Sequence, residues 1–330
     1  MSLKTLAIIL GLGGTALLAP DTSFKTMSVE ATVMDEAGLP VQDATLSTIR
    51  PQWLRTRSIL RDFLLRRKLI TQWREIKMER LTNEKGMAKF RLRNALGAMG
   101  ATVEKDGYYQ SVIIFKAEDS FRSPVWLPYP MKKTVVLKKI RNPIPLLKGD
   151  MYRQQPFNLE IPLGFDMLKN EWMPPHGKGE TEDMVVFVQK FPEARRPLPW
   201  ASVQFTFTGE ANGIQKIPDR LMTRESVFSL PYMAFLDGYS NQEVTVEFSS
   251  DSEGKRYRKS NLGDGELCFR IRTQLDEEQN VISALYGVFL QTEMRVQGRP
   301  TTAILKCPYF INPTPNNRNL EWDGTNLLKK

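Results

Sequence analysis

Histidine, cysteine and long apolar runs are all scarce in this chain of 330 residues, which has one His and two Cys. One histidine, His176, cannot supply the pair of His ligands that zinc hydrolases use, and no G-x-S-x-G nucleophile elbow accompanies it. The surrounding PPHGKGE lacks the first Gly and the Ser/Thr of a phosphate-binding loop. We therefore predict no metal and no cofactor.

The one apolar run of note lies at residues 6–18, after Lys4. A short positive region followed by an apolar stretch too short to span a bilayer is typical of an export signal. Residues 1–20 are therefore predicted to be a signal peptide, and the protein is expected to be extracytoplasmic (periplasmic or secreted) in a bacterium. An uncleaved anchor or a buried apolar segment remains the alternative.

The expected extracytoplasmic location bears on the state of the two cysteines. Cys268 lies in the alternating segment GELCFRIRT, and Cys307 ends the strand-like TTAILKC. In an oxidising compartment a disulfide between them is plausible, and it is our prediction. The alternative is two separate buried thiols.

Alternation of apolar and polar residues runs through most of the chain. SVEATVMD, VQDATLSTI and KKTVVLKKI show it before residue 141, and ASVQFTFTGE and EVTVEFSS show it after. Short alternating segments separated by Gly- and Asp-containing turns are typical of β-sandwiches. The predicted fold class is mainly β, with two β-sandwich-like domains in tandem, at residues 21–141 and 142–330.

Three segments of the first domain carry a family resemblance: VEATVMDEAGLPVQDATL, TNEKGMAKFRL and VEKDGYY. Residues 27–140 thereby resemble the carboxypeptidase regulatory-like domain, a transthyretin-like β-sandwich. The resemblance implies an accessory, often extracytoplasmic role and brings no catalytic residues. Residues 142–323, with NPIPL, PLGFDMLKNEWMPPHGKGETED and INPTPNNRNLEWD, resemble a group of uncharacterised exported bacterial proteins, which implies the two-part architecture only.

The net charge of +9 is concentrated in residues 50–80, where ten basic residues face three acidic ones. This stretch has no Gly or Pro between 52 and 80 and many good helix formers, so we predict a basic helical insertion at 51–80. As a cationic amphipathic helix it would meet an anionic membrane or another polyanion, whereas nucleic acid is an improbable partner for an exported protein. The alternative is a helix packed on the sandwich by its apolar face. The candidate contacts are Arg57, Arg61, Arg67, Lys68 and Arg74.

A second candidate region lies between residues 164 and 183. It holds an aromatic and polar loop, and we predict a binding surface at Trp172, His176 and Lys178, although Trp172 fits a core position equally well. Its carboxylates could instead form a glycosidase pair or a Ca²⁺ site. They are Asp166, Glu171, Glu180, Glu182 and Asp183.

The expected function is that of a non-catalytic exported envelope protein that binds or scaffolds, with an unknown protein or glycan of the cell envelope as its partner. The first alternative is attachment to an anionic membrane or polyanion through residues 50–80. The second is a carboxylate-dependent hydrolase that acts on carbohydrate.

Overall fold

The computed structural model describes residues 25–53, 73–95, 98–118, 125–151, 161–190, 199–240, 243–250, 256–263, 265–290, 295–297 and 304–328. These residues are mainly β-strand, with one 3₁₀ turn at Asp219–Leu221 and no α-helix among them. The predicted mainly-β class is confirmed. The chain divides into two compact units, and Met1–Ile140 and Thr223–Ser229 form the first of them.

Among its described residues, unit 1 has seven strands in two sheets. The strands are β1 (Lys25–Asp35), β2 (Thr45–Trp53), β3 (Trp73–Leu81), β4 (Met87–Ala95), β5 (Ala98–Glu104), β6 (Ser111–Lys116) and β7 (Met131–Leu137). Sheet A has the strand order β4-β1-β7, and sheet B has the order β3-β2-β5-β6. β1 pairs antiparallel with β4 and parallel with β7, so it is the central strand of sheet A.

Both sheets of unit 1 contribute to one apolar core. Every second residue of β1 points into this core, beginning with Met27 and Val29, and residues of β5 and β6 such as Val103 and Phe115 meet them there. The sequence alternates because each strand has one buried and one solvated face. Burial of these side chains is the main source of stability for the unit.

The predicted helix at 51–80 is wrong wherever the structure describes this stretch. Residues 51–53 belong to β2 and residues 73–80 to β3, and the two strands pair antiparallel from Thr45↔Leu81 to Trp53↔Trp73. Helix propensity is a weak preference, and cross-strand pairing overrides it here. Residues 54–72 lie outside the described residues.

Unit 2 is formed by Arg141–Met222 and Leu230–Lys330, and its described residues make two six-stranded sheets and a two-stranded ribbon. The strands are β8 (Ile144–Asp150), β9 (Leu163–Asp166), β10 (Glu171–Trp172), β11 (Met184–Lys190), β12 (Pro199–Phe207), β13 (Gly213–Lys216), β14 (Val244–Ser250), β15 (Arg256–Ser260), β16 (Leu267–Leu275), β17 (Val281–Phe289), β18 (Arg295–Gln297), β19 (Ile304–Lys306), β20 (Pro308–Asn312) and β21 (Trp322–Asn326). Sheet C has the order β10-β9-β11-β12-β14-β15, sheet D has the order β13-β16-β17-β20-β8-β21, and β18 and β19 form the ribbon.

The core of unit 2 is rich in aromatic side chains. Phe269 and Phe289 lie with ring centroids 4.8 Å apart, and Tyr309 approaches the Phe289 ring edge-on at 6.0 Å. The Tyr309 hydroxyl donates to the Met167 carbonyl over 2.8 Å, which satisfies a buried polar group. The core thereby reaches from sheet D to the turn that follows β9.

Candidate functional site

A buried ionic cluster joins three residues of unit 2 that lie far apart in sequence. Asp166 ends β9, Asp183 directly precedes β11, and Arg272 lies in β16. Arg272 Nε donates to Asp183 Oδ1 over 2.8 Å, and its Nη2 reaches Asp166 Oδ1 over 2.9 Å. Both carboxylates are only 1% exposed. One guanidinium therefore bridges two buried acids.

An irregularity in β16 positions this arginine. The pairing of β16 with β17 shifts register between Ile271 and Gln274, and Arg272 has a φ of 51°, in the left-handed region. Such a bulge can redirect a side chain out of the regular alternation. A left-handed non-glycine residue is costly, so the surrounding contacts must hold it in place.

Backbone donors complete the cluster. Asp166 Oδ2 accepts from the N–H groups of Glu180 and Thr181, and its Oδ1 also accepts from Lys169 N–H. Asp183 Oδ2 accepts from Met167 N–H over 2.9 Å. Every carboxylate oxygen thus has a donor, and the cluster fastens the segment from 166 to 183 to sheet D.

The two acids respond differently to their surroundings. Burial raises the pKa of Asp183, and the hydrogen bonds from Arg272 and Met167 only partly offset that effect. Burial also acts to raise the pKa of Asp166, but its backbone N–H donors and Arg272 outweigh it and hold that pKa below its ordinary value. Two carboxyl groups whose pKa values differ can also form a catalytic acid–base pair. Here, however, the Arg272 guanidinium lies between the two carboxylates and is hydrogen-bonded to both of them.

The three predicted binding residues differ in their exposure to solvent. Trp172 is 2% exposed and packs edge-on against Phe165, with ring centroids 4.9 Å apart, so it belongs to the core rather than to a binding surface. A side chain as large as tryptophan contributes most to the stability of the fold when its apolar surface is removed from water. His176 and Lys178 are exposed, and their role in binding stays a prediction.

The turn that carries His176 and Lys178 is tightly built. Gly179 N–H donates to the Trp172 carbonyl, and a Cβ on Gly177 would lie 2.4 Å from that same carbonyl oxygen. A side chain at position 177 therefore cannot be accommodated without moving the backbone of β10. The exposed tip is thus held on a buried base.

The basic residues predicted to contact a polyanion are described only in part. Arg74 lies on β3, whereas the other four lie outside the described residues, namely Arg57, Arg61, Arg67 and Lys68. Contact with a membrane or polyanion therefore stays a prediction for all five.

The predicted disulfide is absent, since Cys268 and Cys307 are free and buried. Cys307 belongs to the core with Phe269 and Tyr309, whereas Cys268 pairs with Val288 on β17 and is not part of that core. Because side chains alternate along a strand, Cys268 points to the face of β16 opposite to Phe269, whereas Cys307 packs with Phe269 in the core, so the structure has two separate buried thiols. The alternation around Cys268 was informative, but the face occupied by Cys307 could not be deduced from its own segment.

Two further features concern the described part of the chain only. No group of three or more His, Cys, Asp or Glu residues there could hold a metal ion. No helix there is long and apolar enough to cross a membrane.

Sequence reasoning missed Arg272 altogether. The sequence indicates Asp166 and Asp183 as part of a carboxylate-rich segment, but their common partner lies 106 and 89 residues further along the chain. The only local signal was a charged residue in the alternating strand GELCFRIRT.

No protein-family model matches the chain, and no curated protein matches it. The resemblance of residues 27–140 to the carboxypeptidase regulatory-like domain therefore stays a resemblance. Three solved structures share some likeness. A 3-chlorocatechol 1,2-dioxygenase from Rhodococcus opacus 1CP is 14% identical over 35% of this chain and 60% of its own, with a TM-score of 0.22. The shaft pilin SpaA from Lactobacillus rhamnosus GG is 10% identical over 79% and 93%, with a TM-score of 0.22.

The third structure is a minor pilin from Streptococcus agalactiae, 11% identical over 85% of this chain and 90% of its own, with a TM-score of 0.18. TM-scores this low do not establish a shared fold, so none of the three likenesses bears on what this chain does. The chain also spans less than two thirds of the dioxygenase.

Proposed function

We propose that the chain is a non-catalytic exported envelope protein that binds or scaffolds, built from two β-sandwich-like domains in tandem. The observation that carries the proposal is the hydrogen bonding of the Asp166–Asp183–Arg272 cluster, in which every carboxylate oxygen already accepts from a donor within the protein. Carboxylates that already accept from an arginine and from backbone N–H groups are poor candidates for nucleophile or base. The cluster fits a structural role, in which it holds a loop for recognition.

The binding surface in this proposal is the turn at residues 174–178. His176 and Lys178 are exposed there, above the buried Trp172 and the ionic cluster. Recognition residues placed on a loop with a rigid base lose little conformational entropy on binding. Export is supported separately by the apolar run after Lys4.

Sedimentation with purified cell-wall sacculi tests the binding proposal. We expect the full chain to sediment with sacculi and the double variant His176→Ala/Lys178→Glu to do so several-fold less. Lys259→Glu replaces an exposed lysine on β15 and is the matched control, because it lowers the net charge by the same two units. Equal sedimentation of the double variant and the wild type would rule out this turn as the binding surface.

The same sacculi distinguish the hydrolase alternative. A non-catalytic protein releases no more reducing ends than a heat-denatured sample. Release by the wild type that disappears in Asp166→Asn and Asp183→Asn would establish a carboxylate-dependent hydrolase instead. Cell fractionation with and without residues 1–20 tests the proposed extracytoplasmic location.

Attachment to an anionic surface remains the alternative proposal, and one observation favours it. β2 and β3 stay paired as far as Trp53↔Trp73, which places the two sequence neighbours of residues 54–72 side by side. Residues 54–72 hold six basic side chains and one acidic one. Each basic group near an anionic lipid surface contributes about 1 kcal/mol, so the segment carries enough charge for salt-sensitive binding.

A further inference from the structure

The outer edge of β6 in unit 1 already holds one short segment. Thr223–Ser229, here called the strap, is part of this unit although it follows β13 in sequence. Val112 N–H donates to the Glu225 carbonyl over 2.7 Å, and Val227 N–H donates to the Gln110 carbonyl over 2.9 Å. The strap thus adds one antiparallel bridge, Ser111↔Ser226, to the edge of sheet B, and main-chain pairing of this kind is how sheet edges bind added strands.

An aromatic anchor reinforces the pairing. The Phe228 ring centroid lies 5.1 Å from that of Tyr109 and 4.3 Å from Lys138 Nζ. Lys138 is only 2% exposed, so its contact with the ring is a desolvated one. Phe228 itself is only 7% exposed, so its ring is buried beside the edge of β6 and anchors the strap there.

The strap covers only the beginning of the edge. Because successive residues of a strand point their N–H groups to opposite sides, Ile114 directs its main chain outward as Val112 does. Within the described residues, the outward main-chain groups of Ile114 form no hydrogen bond. The apolar side chains here are also exposed, with Val112 at 41%, Ile114 at 58% and Val227 at 64%.

The strap contains hydrogen bonds between its own residues and is therefore a compact turn rather than a continuous strand. Thr223 N–H donates to the Ser229 carbonyl over 3.0 Å, and Ser226 N–H donates to the Thr223 carbonyl over 2.9 Å. A segment with its own turn can leave the edge as one piece. Its departure would expose the outward main-chain groups of Gln110 and Val112, and it would uncover the surfaces of Tyr109 and Lys138 that the Phe228 ring contacts.

We propose that the outer edge of β6 is a strand-addition site for an extended segment of a partner protein, with an aromatic residue that takes the place of Phe228. The strap occupies part of this site, so the partner segment must displace it. A segment that pairs with β6 by main-chain hydrogen bonds and carries an aromatic residue fits this edge, because the strap already seated there has both features. The proposal rests on the binding role given above and names a partner class for it.

A labelled peptide with the sequence of residues 222–230, MTRESVFSL, is the probe for the displaced state. We expect the full chain with Phe228→Ala to bind the peptide, by fluorescence anisotropy, at least about tenfold more tightly than the wild type, whose own strap competes. The same peptide with its Phe replaced by Ala should not bind. Absence of binding to a folded Phe228→Ala chain would overturn the proposal.

Two further variants locate the peptide on the edge. Val112→Pro removes the outward N–H that pairs with Glu225 and leaves the bonds to β5 intact, because proline is tolerated on an edge strand. In the Phe228→Ala background it should abolish peptide binding, whereas Val112→Thr, which keeps the N–H, should not. Binding that survives Val112→Pro would contradict the edge site.

The test does not depend on one variant. If Phe228→Ala loses its β circular-dichroism signal, Val227→Pro weakens the strap by removing the N–H given to Gln110 and keeps the ring. Neither variant touches His176 or Lys178, so a failure here is distinct from a failure of the turn at residues 174–178 in the sacculus experiment.

Discussion

Arg272 holds the segment from residue 166 to 183 on sheet D through its bonds to Asp166 and Asp183. Its guanidinium lies between two carboxylates that are each 1% exposed, while the arginine itself is 28% exposed. A buried acid without its counter-charge is far more costly than an exposed pair, because the carboxylate has lost its water.

We expect Arg272→Met to lower the free energy of unfolding by about 3 kcal/mol, since it leaves Asp166 and Asp183 buried without their shared cation. Urea denaturation followed by circular dichroism measures the change. Lys169→Met is the control, because it breaks an exposed pair with Glu180 and should cost less than about 0.5 kcal/mol. Similar losses in the two variants would show that the cluster has no special weight.

The two thiols should be unreactive in the folded protein. Burial raises the pKa of Cys268 to about 12, and complete burial raises that of Cys307 well above its ordinary value. Thiolate, the reactive form, is therefore negligible at neutral pH. A chromogenic thiol reagent should detect no thiols in the native protein and two in denaturant without reductant; detection of fewer than two would indicate a disulfide.

At the scale of elements, close approaches between strands and aromatic rings define the core of unit 2. Gly149 on β8 lies directly beneath Tyr309, and a Cβ there would be 2.0 Å from Tyr309 Cζ. The ring can therefore lie flat over the strand only because position 149 has no side chain. The Tyr309 hydroxyl then reaches Met167 in the turn after β9.

Gly149→Ala should destabilise the protein by about 1–3 kcal/mol, because the new methyl group displaces the Tyr309 ring from a well-packed core. Thermal and urea denaturation check this. Gly100→Ala on β5 is the matched control: no heavy atom lies within 4 Å of its ideal Cβ, so its effect should stay within about 0.5 kcal/mol. A loss at Gly100 equal to that at Gly149 would refute the steric explanation.

The strands could be predicted from the sequence because alternation is a local property. Val203, Phe205 and Phe207 are buried on β12, as their spacing indicated. The hairpin of β2 and β3 could not be predicted, because a stretch rich in Arg and Leu has a high helix propensity. Pairing with a neighbouring strand overrides that propensity, and the local sequence does not reveal the pairing. The Arg272 cluster depends on residues 89 and 106 positions apart, a separation that no local pattern reveals.

At the scale of the whole molecule, the charge of the chain can be separated from its fold. The described core of unit 1 draws on the strands of sheets A and B, and the hairpin of β2 and β3 ends with a paired Trp53 and Trp73. A two-residue turn can close two strands at such a pair.

Replacement of residues 54–72 by Asn-Gly is therefore expected to leave the β circular-dichroism spectrum and the melting temperature unchanged within a few degrees. It reduces the formal net charge from +9 to +4. Any salt-sensitive co-sedimentation of the full chain with anionic vesicles should then disappear. Undiminished co-sedimentation of the trimmed chain would place the anionic contact elsewhere.

The parallel pairing of β21 with β8 affects how unit 2 is made. Trp322 is in register with Ile144, and Lys148 N–H donates to Asn326 Oδ1, 178 residues further along the chain. Contacts between such distant residues give a high contact order, which slows folding because a long loop must close first. Sheet D cannot be completed until β21 has been synthesised, so one edge of β8 stays unpaired while the intervening residues are made, and an unpaired strand edge is prone to aggregation during that time.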